Sequence, residues 1–174
     1  MTSRTKRNLI TITKWSCYFL VLVLGAALQT TPGFLAVGQV RPIFILPVCL
    51  AVAVFEGEYA GAAFGVVGGL LWDLTAGRVP GLMALLLMMV CFTAALLVEI
   101  YLRVNSMNFI LVTGCCCLIV TGLDFLFYTL MPGHAGALHR YFGVYLPMTV
   151  FTAALSPLPM LLVRRIYQKL DFTT

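Results

Sequence analysis

Two carboxylates lie inside apolar stretches of this chain, Asp73 in LWDL and Asp124 in TGLDF. Paired acids held away from water can share a proton and activate a water molecule, which is the chemistry of an intramembrane aspartyl protease. The local settings here are not the YD and GxGD surroundings of those enzymes, and no serine–histidine or HExxH arrangement offers another route to hydrolysis. The six cysteines are Cys17, Cys49, Cys91 and the run Cys115-Cys116-Cys117, all in apolar stretches and none in a CxxC pair. Successive helical residues point about 100° apart, so the triplet cannot converge on one metal ion. The cysteines read as small buried hydrophobes. His134 and His139, in PGHAGALHR, read as ordinary exposed histidines. No catalytic, cofactor or metal residue is assigned, and an enzyme is not expected.

The elements that must position the two acids follow from composition. Of the 174 residues 61% are hydrophobic and only 10% charged, with net charge +5 and mean hydropathy +1.03. A soluble domain of this size would carry more polar surface. The expectation is an all-α, polytopic membrane protein of six transmembrane helices: Trp15 to Leu28 (extending towards Phe34), Ile43 to Phe55, Tyr59 to Leu74, Leu82 to Val98, Met107 to Met131 and Tyr141 to Val163. Basic segments at 1–14 and 164–174 flank a membrane domain at 15–163. The second and third runs fall short of the roughly 20 residues a crossing needs, and Pro42 and Pro47 interrupt the second. A hairpin partly sunk in the bilayer is the alternative there. Basic residues before an apolar run, followed by Gly25-Ala26-Ala27, also fit a cleaved secretory signal, but the later spans make a retained first helix the simpler reading.

Lysine and arginine give the orientation. With a cytoplasmic N-terminus the inner side holds Arg4, Lys6, Arg7, Lys14, Arg103, Arg164, Arg165 and Lys169, and the outer side only Arg41, Arg78 and Arg140. This asymmetry places both termini in the cytoplasm. The basic ends would sit against anionic lipid headgroups, which accounts for the net charge without nucleic acid.

Gly57, Gly61, Gly65 and Gly69 recur every fourth residue and lead to Asp73. Four residues turn a helix by about 400°, so the ladder stays one strip along which another backbone can approach closely. The strip serves packing within the bundle or an interface with a partner. Orientation puts Gln29, Arg41, Asp73 and Asp124, from four helices, at one depth in the outer half, as a buried polar cluster with Arg41 the counter-charge for one acid. The plainer alternative is that Asp73 caps a loop and Asp124 makes one local hydrogen bond. Glu56 and Glu58, at the turn between the second and third spans, read most simply as solvated loop charges, with a basic partner as the alternative.

In this order and spacing the chain resembles MreD, the membrane component of the bacterial rod-shape (elongasome) system. Gln29 with Pro32 resembles the family's LQ…P ending, and Arg41-Pro42 its RP. Gly65, Gly69, Asp73, Leu74, Gly77 and Gly81 resemble its G…G…LD-L-sG…lG stretch. Asp124 sits where members can carry an acid, and Pro157 with Arg164-Arg165 resembles the closing P…RR. Trp72, Pro80, the cysteine run and the EGE turn depart from the pattern. The resemblance implies a non-enzymatic scaffold working with MreC, and with MreB, RodA and a class B penicillin-binding protein, in sidewall peptidoglycan synthesis. It also implies a fold similar to the six-helix substrate-binding component of energy-coupling-factor transporters. That component supplies the alternative function, binding a vitamin-like molecule in a pocket open to the outside.

Overall fold

The computed structural model describes residues 3–31, 33, 40–77, 81–101, 105–131 and 137–171, with side chains from residue 9 onward apart from 137, 138 and 171. Pro32, Phe34, Arg78, Pro80, Arg103, His134 and the side chains of Arg4, Lys6 and Arg7 lie outside the described residues. Among the described residues the chain is helical: α1 (Ser3–Thr30), α2 (Ile45–Glu56), α3 (Glu58–Ala76), α4 (Leu82–Tyr101), α5 (Ser106–Phe125), α6 (Ala137–Arg140), α7 (Leu146–Leu155) and α8 (Pro157–Asp171). Single π-helical turns at Leu126–Leu130 and Tyr141–Tyr145 extend α5 and join α6 to α7. The basic stretch at 1–14 has no boundary of its own, because α1 is continuous from Ser3. Likewise α8 continues past 163 to Asp171.

Five stretches are long and apolar enough to cross a membrane: Leu9–Thr30, Glu58–Ala76, Leu82–Tyr101, Ser106–Leu130 and Tyr141–Leu170. Their outward faces carry Leu20, Leu85, Leu97, Leu111, Ile119 and Val150, all exposed. In water such a girdle would be an aggregation surface; in a bilayer it faces lipid.

The expected second span departs from this pattern. Its helix is only the 12 residues of α2, about 18 Å at 1.5 Å per residue and short of the roughly 30 Å hydrocarbon core. Every residue from Ile45 to Ala53 is buried. A helix that is apolar on all sides belongs in the interior, and α2 sits against α1, α3, α4, α5 and α8. Pro47 does not break it. It stands third in the helix, where a backbone N–H would have no intrahelical acceptor in any case.

A one-residue turn at Gly57 (φ 96°) reverses the chain into α3. Close packing of α3 explains its glycines. A Cβ at Gly61 would overlap the Cβ of Ala53 on α2, and one at Gly69 would overlap the backbone of Ala84 on α4. At Gly65 it would lie 2.7 Å from the Leu87 carbonyl oxygen. Small residues here let α2, α3 and α4 meet nearly backbone to backbone. Gly57 does not belong to this strip: a Cβ there would meet nothing within 4 Å, and its role is the left-handed turn. Gly68, absent from the four-residue ladder, belongs instead, since its Cβ would fall 2.5 Å from Cys49 Sγ.

Near the chain termini α1, α2 and α8 are clasped together. Lys14 Nζ lies 2.6 Å from Glu56 Oε1 and 4.7 Å over the Tyr167 ring. The Tyr18 hydroxyl donates to the same Glu56 oxygen at 2.7 Å. Glu56 is thus a largely buried structural carboxylate, with its side chain 12% exposed, and the solvated reading of it is corrected. An acid can sit there because a cation and a hydroxyl both meet it. Lys14→Met should lower stability by about 1–3 kcal/mol. Adding Glu56→Gln should recover part of that loss in thermal unfolding of the detergent-solubilised chain. A double variant as unstable as the sum of the two singles would show that the two residues do not interact.

Candidate functional site

The candidate site is at the end of the bundle away from this clasp, and its construction starts with the entry to α2. Residues 41–44 are not helical, so their N–H groups need partners that a lipid interior cannot supply. Side chains from two other helices provide them. Gln29 Oε1, near the end of α1, accepts the N–H groups of Phe44 and Ile45 at 3.2 and 3.3 Å. Thr152 Oγ1 of α7 accepts the N–H of Ile43 at 3.0 Å and donates to the Met148 carbonyl at 2.7 Å. Gln29 therefore caps a buried helix start, a role that its position in the sequence does not reveal.

Around this entry lies a cavity of about 430 Å³. Gln29 and Thr30 border it from α1, and Arg41 and Pro42 from the extended stretch. The last turns of α3 contribute Trp72, Thr75 and Ala76, and α5 contributes Val120, Thr121 and Asp124. Arg140, Val144, Tyr145 and Met148 close the remaining side. Three members of the expected polar cluster, Gln29, Arg41 and Asp124, thus share one space. Asp124 is 6% exposed and recessed, while Arg41 and Arg140 are exposed. Both π-helical turns lie beside the cavity. There Phe125 meets Tyr141 and Tyr145 at 5.0 and 5.5 Å between ring centroids, and Thr129 is 3.4 Å from the Tyr145 hydroxyl. The sequence noted Trp72 only as a departure from the family pattern and Arg140 only as an outer-side charge, and did not single out Tyr145; the fold brings all three to the cavity that Arg41 lines.

Asp73 is not among the lining residues. It is 1% exposed, and its Oδ2 accepts the Gly81 N–H at 2.8 Å. Its backbone carbonyl accepts from Gly77, which caps α3 in the left-handed conformation (φ 62°). Gly81 also has a positive φ, 106°. Asp73, Gly77 and Gly81 are therefore one device that fixes the α3–α4 connection, with glycines where the backbone turns left-handed. Among the described residues no ion pair joins Arg41 to Asp73; the acid's partner is the Gly81 N–H. Among the described residues Asp73 Oδ1 is buried without a hydrogen-bond partner.

Asp73→Asn should accordingly fold as well as the parent, since the amide oxygen can still accept from Gly81 and a buried charge is removed. Asp73→Ala should cost about 1–3 kcal/mol by orphaning that N–H. Thermal unfolding of both variants checks this, and an Asn variant as damaged as the Ala variant would mean that the charge itself matters.

The cysteine run fans out, with Cys115 exposed and Cys116 and Cys117 buried, and Cys49 Sγ donates to the Phe64 carbonyl at 3.3 Å. Among the described residues no group of three or more His, Cys, Asp or Glu could hold a metal ion. His139 is exposed on α6. Arg164, Arg165 and Lys169 are exposed along α8 at the clasp end.

A lipid-facing bundle whose helices close on one another through glycines, with a polar cavity at one end, defines a multi-pass α-helical membrane protein. Residues 9–170 match the family described as rod shape-determining protein MreD, and the chain belongs to that family. No curated protein and no solved structure matches it.

Proposed function

We propose that the chain is an integral scaffold of the elongasome in the bacterial inner membrane, organising sidewall peptidoglycan synthesis and rod shape with MreC by helix–helix packing. MreB, RodA and a class B penicillin-binding protein complete the assembly in this reading. The carrying observation is the match of residues 9–170 to the rod shape-determining family. The use of Asp73 supports it, since its carboxylate holds the Gly81 N–H while Asp124 borders the cavity. The glycine strip is occupied within the bundle at Gly61, Gly65 and Gly69, which leaves the outward faces for MreC.

Six crossings fit this reading. Residues 40–43 reach at most about 13 Å at 3.3 Å each, which with the 18 Å of α2 gives about 31 Å, the thickness of the hydrocarbon core. The contact of Lys14 with Tyr167 supports an even number of crossings, since it joins the first and last helices near their outer ends. The basic residues there, Arg164, Arg165 and Lys169, favour the cytoplasmic side and contact with anionic lipid.

The far-end cavity favours a second reading, the ligand-binding component of an energy-coupling-factor-type transporter, because its volume suits a small molecule. Co-expression with MreC separates the two. A stable complex through purification supports the scaffold, and a co-purifying small molecule without MreC overturns it.

A further inference from the structure

Two arginines from distant parts of the chain border the same cavity. Arg41 precedes α2 and Arg140 ends α6. Neither forms an ion pair among the described residues. Asp124 is the acid among the lining residues, so the space carries two cations against one recessed anion. Both guanidinium groups are exposed and so are free to meet an anion that enters the cavity they line. A guanidinium presents a rigid fork of donors that matches phosphate oxygens, and two forks can grip one group from both sides.

Depth narrows the source of that anion. The apolar span of α1 runs from Leu9 to Thr30, about 32 Å at 1.5 Å per residue and so the thickness of a hydrocarbon core. Thr30, at the end of that span, lines the cavity, which therefore stands at the level of lipid headgroups. Val120, Val144 and Met148 give the cavity apolar lining, and Gln29 and Thr75 add polar groups. A space of 430 Å³ holds more than an inorganic ion.

We propose that the cavity is a binding site for a phosphate ester, held between Arg41 and Arg140 at headgroup level. The proposal stands apart from the scaffold reading, since it concerns what fills the cavity and not which proteins the chain meets. The phosphate belongs either to a membrane lipid or to a water-soluble ester.

The test titrates phosphatidylglycerol into the detergent-solubilised full chain and counts bound lipid by native mass spectrometry. Diacylglycerol with the same acyl chains is the neutral control, and glycerol phosphate is the soluble competitor. Phosphatidylglycerol should be retained and diacylglycerol not. Arg41→Gln with Arg140→Gln should weaken retention about tenfold or more. Ala76→Trp, which fills the space from an exposed position on α3, should do the same with both arginines present. Displacement by glycerol phosphate assigns the site to soluble esters; failure to displace assigns it to lipid. Equal retention of the charged and the neutral lipid overturns the proposal. So does undiminished retention in the Ala76→Trp variant, which decides the matter should the arginine variant fail to fold.

Discussion

Gly69→Ala should abolish stable folding, although it adds a single methyl group. The new Cβ would overlap the backbone of Ala84, with the Met83 carbonyl carbon only 2.6 Å away. A flexible side chain could turn aside; a helix backbone cannot. Overpacking a core usually costs about 1–3 kcal/mol, and here the whole α3–α4 pair must separate to relieve it. Gly65→Ala should behave similarly, because its Cβ would meet Leu87 and Met88 backbone atoms at 2.7–2.9 Å. The control is Gly122→Ala on α5, where a Cβ meets nothing within 4 Å. Alanine is the better helix former by about 1 kcal/mol, so that variant should be neutral or slightly stabilised. Gly57→Ala should be intermediate, with no clash but about 1–3 kcal/mol of backbone strain, since φ 96° with ψ 177° is a conformation open essentially to glycine alone. Monodispersity and thermal unfolding after detergent extraction rank the four. A Gly69→Ala protein as stable as Gly122→Ala would mean that α3 and α4 are not as close as described.

Gln29→Leu should produce the second large effect, a loss of about 2–4 kcal/mol from two buried N–H groups left without an acceptor. Phe44 and Ile45 are buried within the protein, so water does not replace the lost acceptor there. Gln29→Glu keeps the acceptor oxygen and places negative charge at a helix N-terminus, where it is favourable. It should therefore retain most of the stability. Hydrogen exchange at residues 44 and 45 gives a local readout, faster in the leucine variant and near-native in the glutamate variant. Unchanged exchange in Gln29→Leu would rule out the cap.

The parts of this molecule that were legible in sequence are those governed by local composition. Long apolar runs marked six crossings, of which five are helices long and apolar enough to span, and a four-residue glycine period marked the side on which α3 is approached. Gln29, Arg41 and Asp124 could be brought to one level by counting residues along helices. What stayed hidden depends on partners far away in the chain. The 12-residue α2 is apolar on every side and carries no periodicity, so its boundaries and its burial among five other helices were not readable from its own residues. Glu56 looks like a loop charge until Lys14 and Tyr18 arrive from α1. Gly68 breaks the four-residue period because it faces Cys49 on α2, not α4. Asp73 had been grouped with residues at the same depth; depth alone does not say which way round a helix a side chain points, and this one points at Gly81. Arg140 could not be paired with Arg41 by counting, since about a hundred residues and several reversals of direction separate them.

The seal on the entry to α2 has a consequence for biogenesis. The Ile43 N–H is satisfied by Thr152 Oγ1, 109 residues later in the chain. During synthesis the early helices reach the membrane well before their last hydrogen-bond acceptor exists. The seal on the entry to α2 is therefore completed by one of the last-made parts of the chain, and the order of synthesis runs opposite to the order in which this backbone is satisfied.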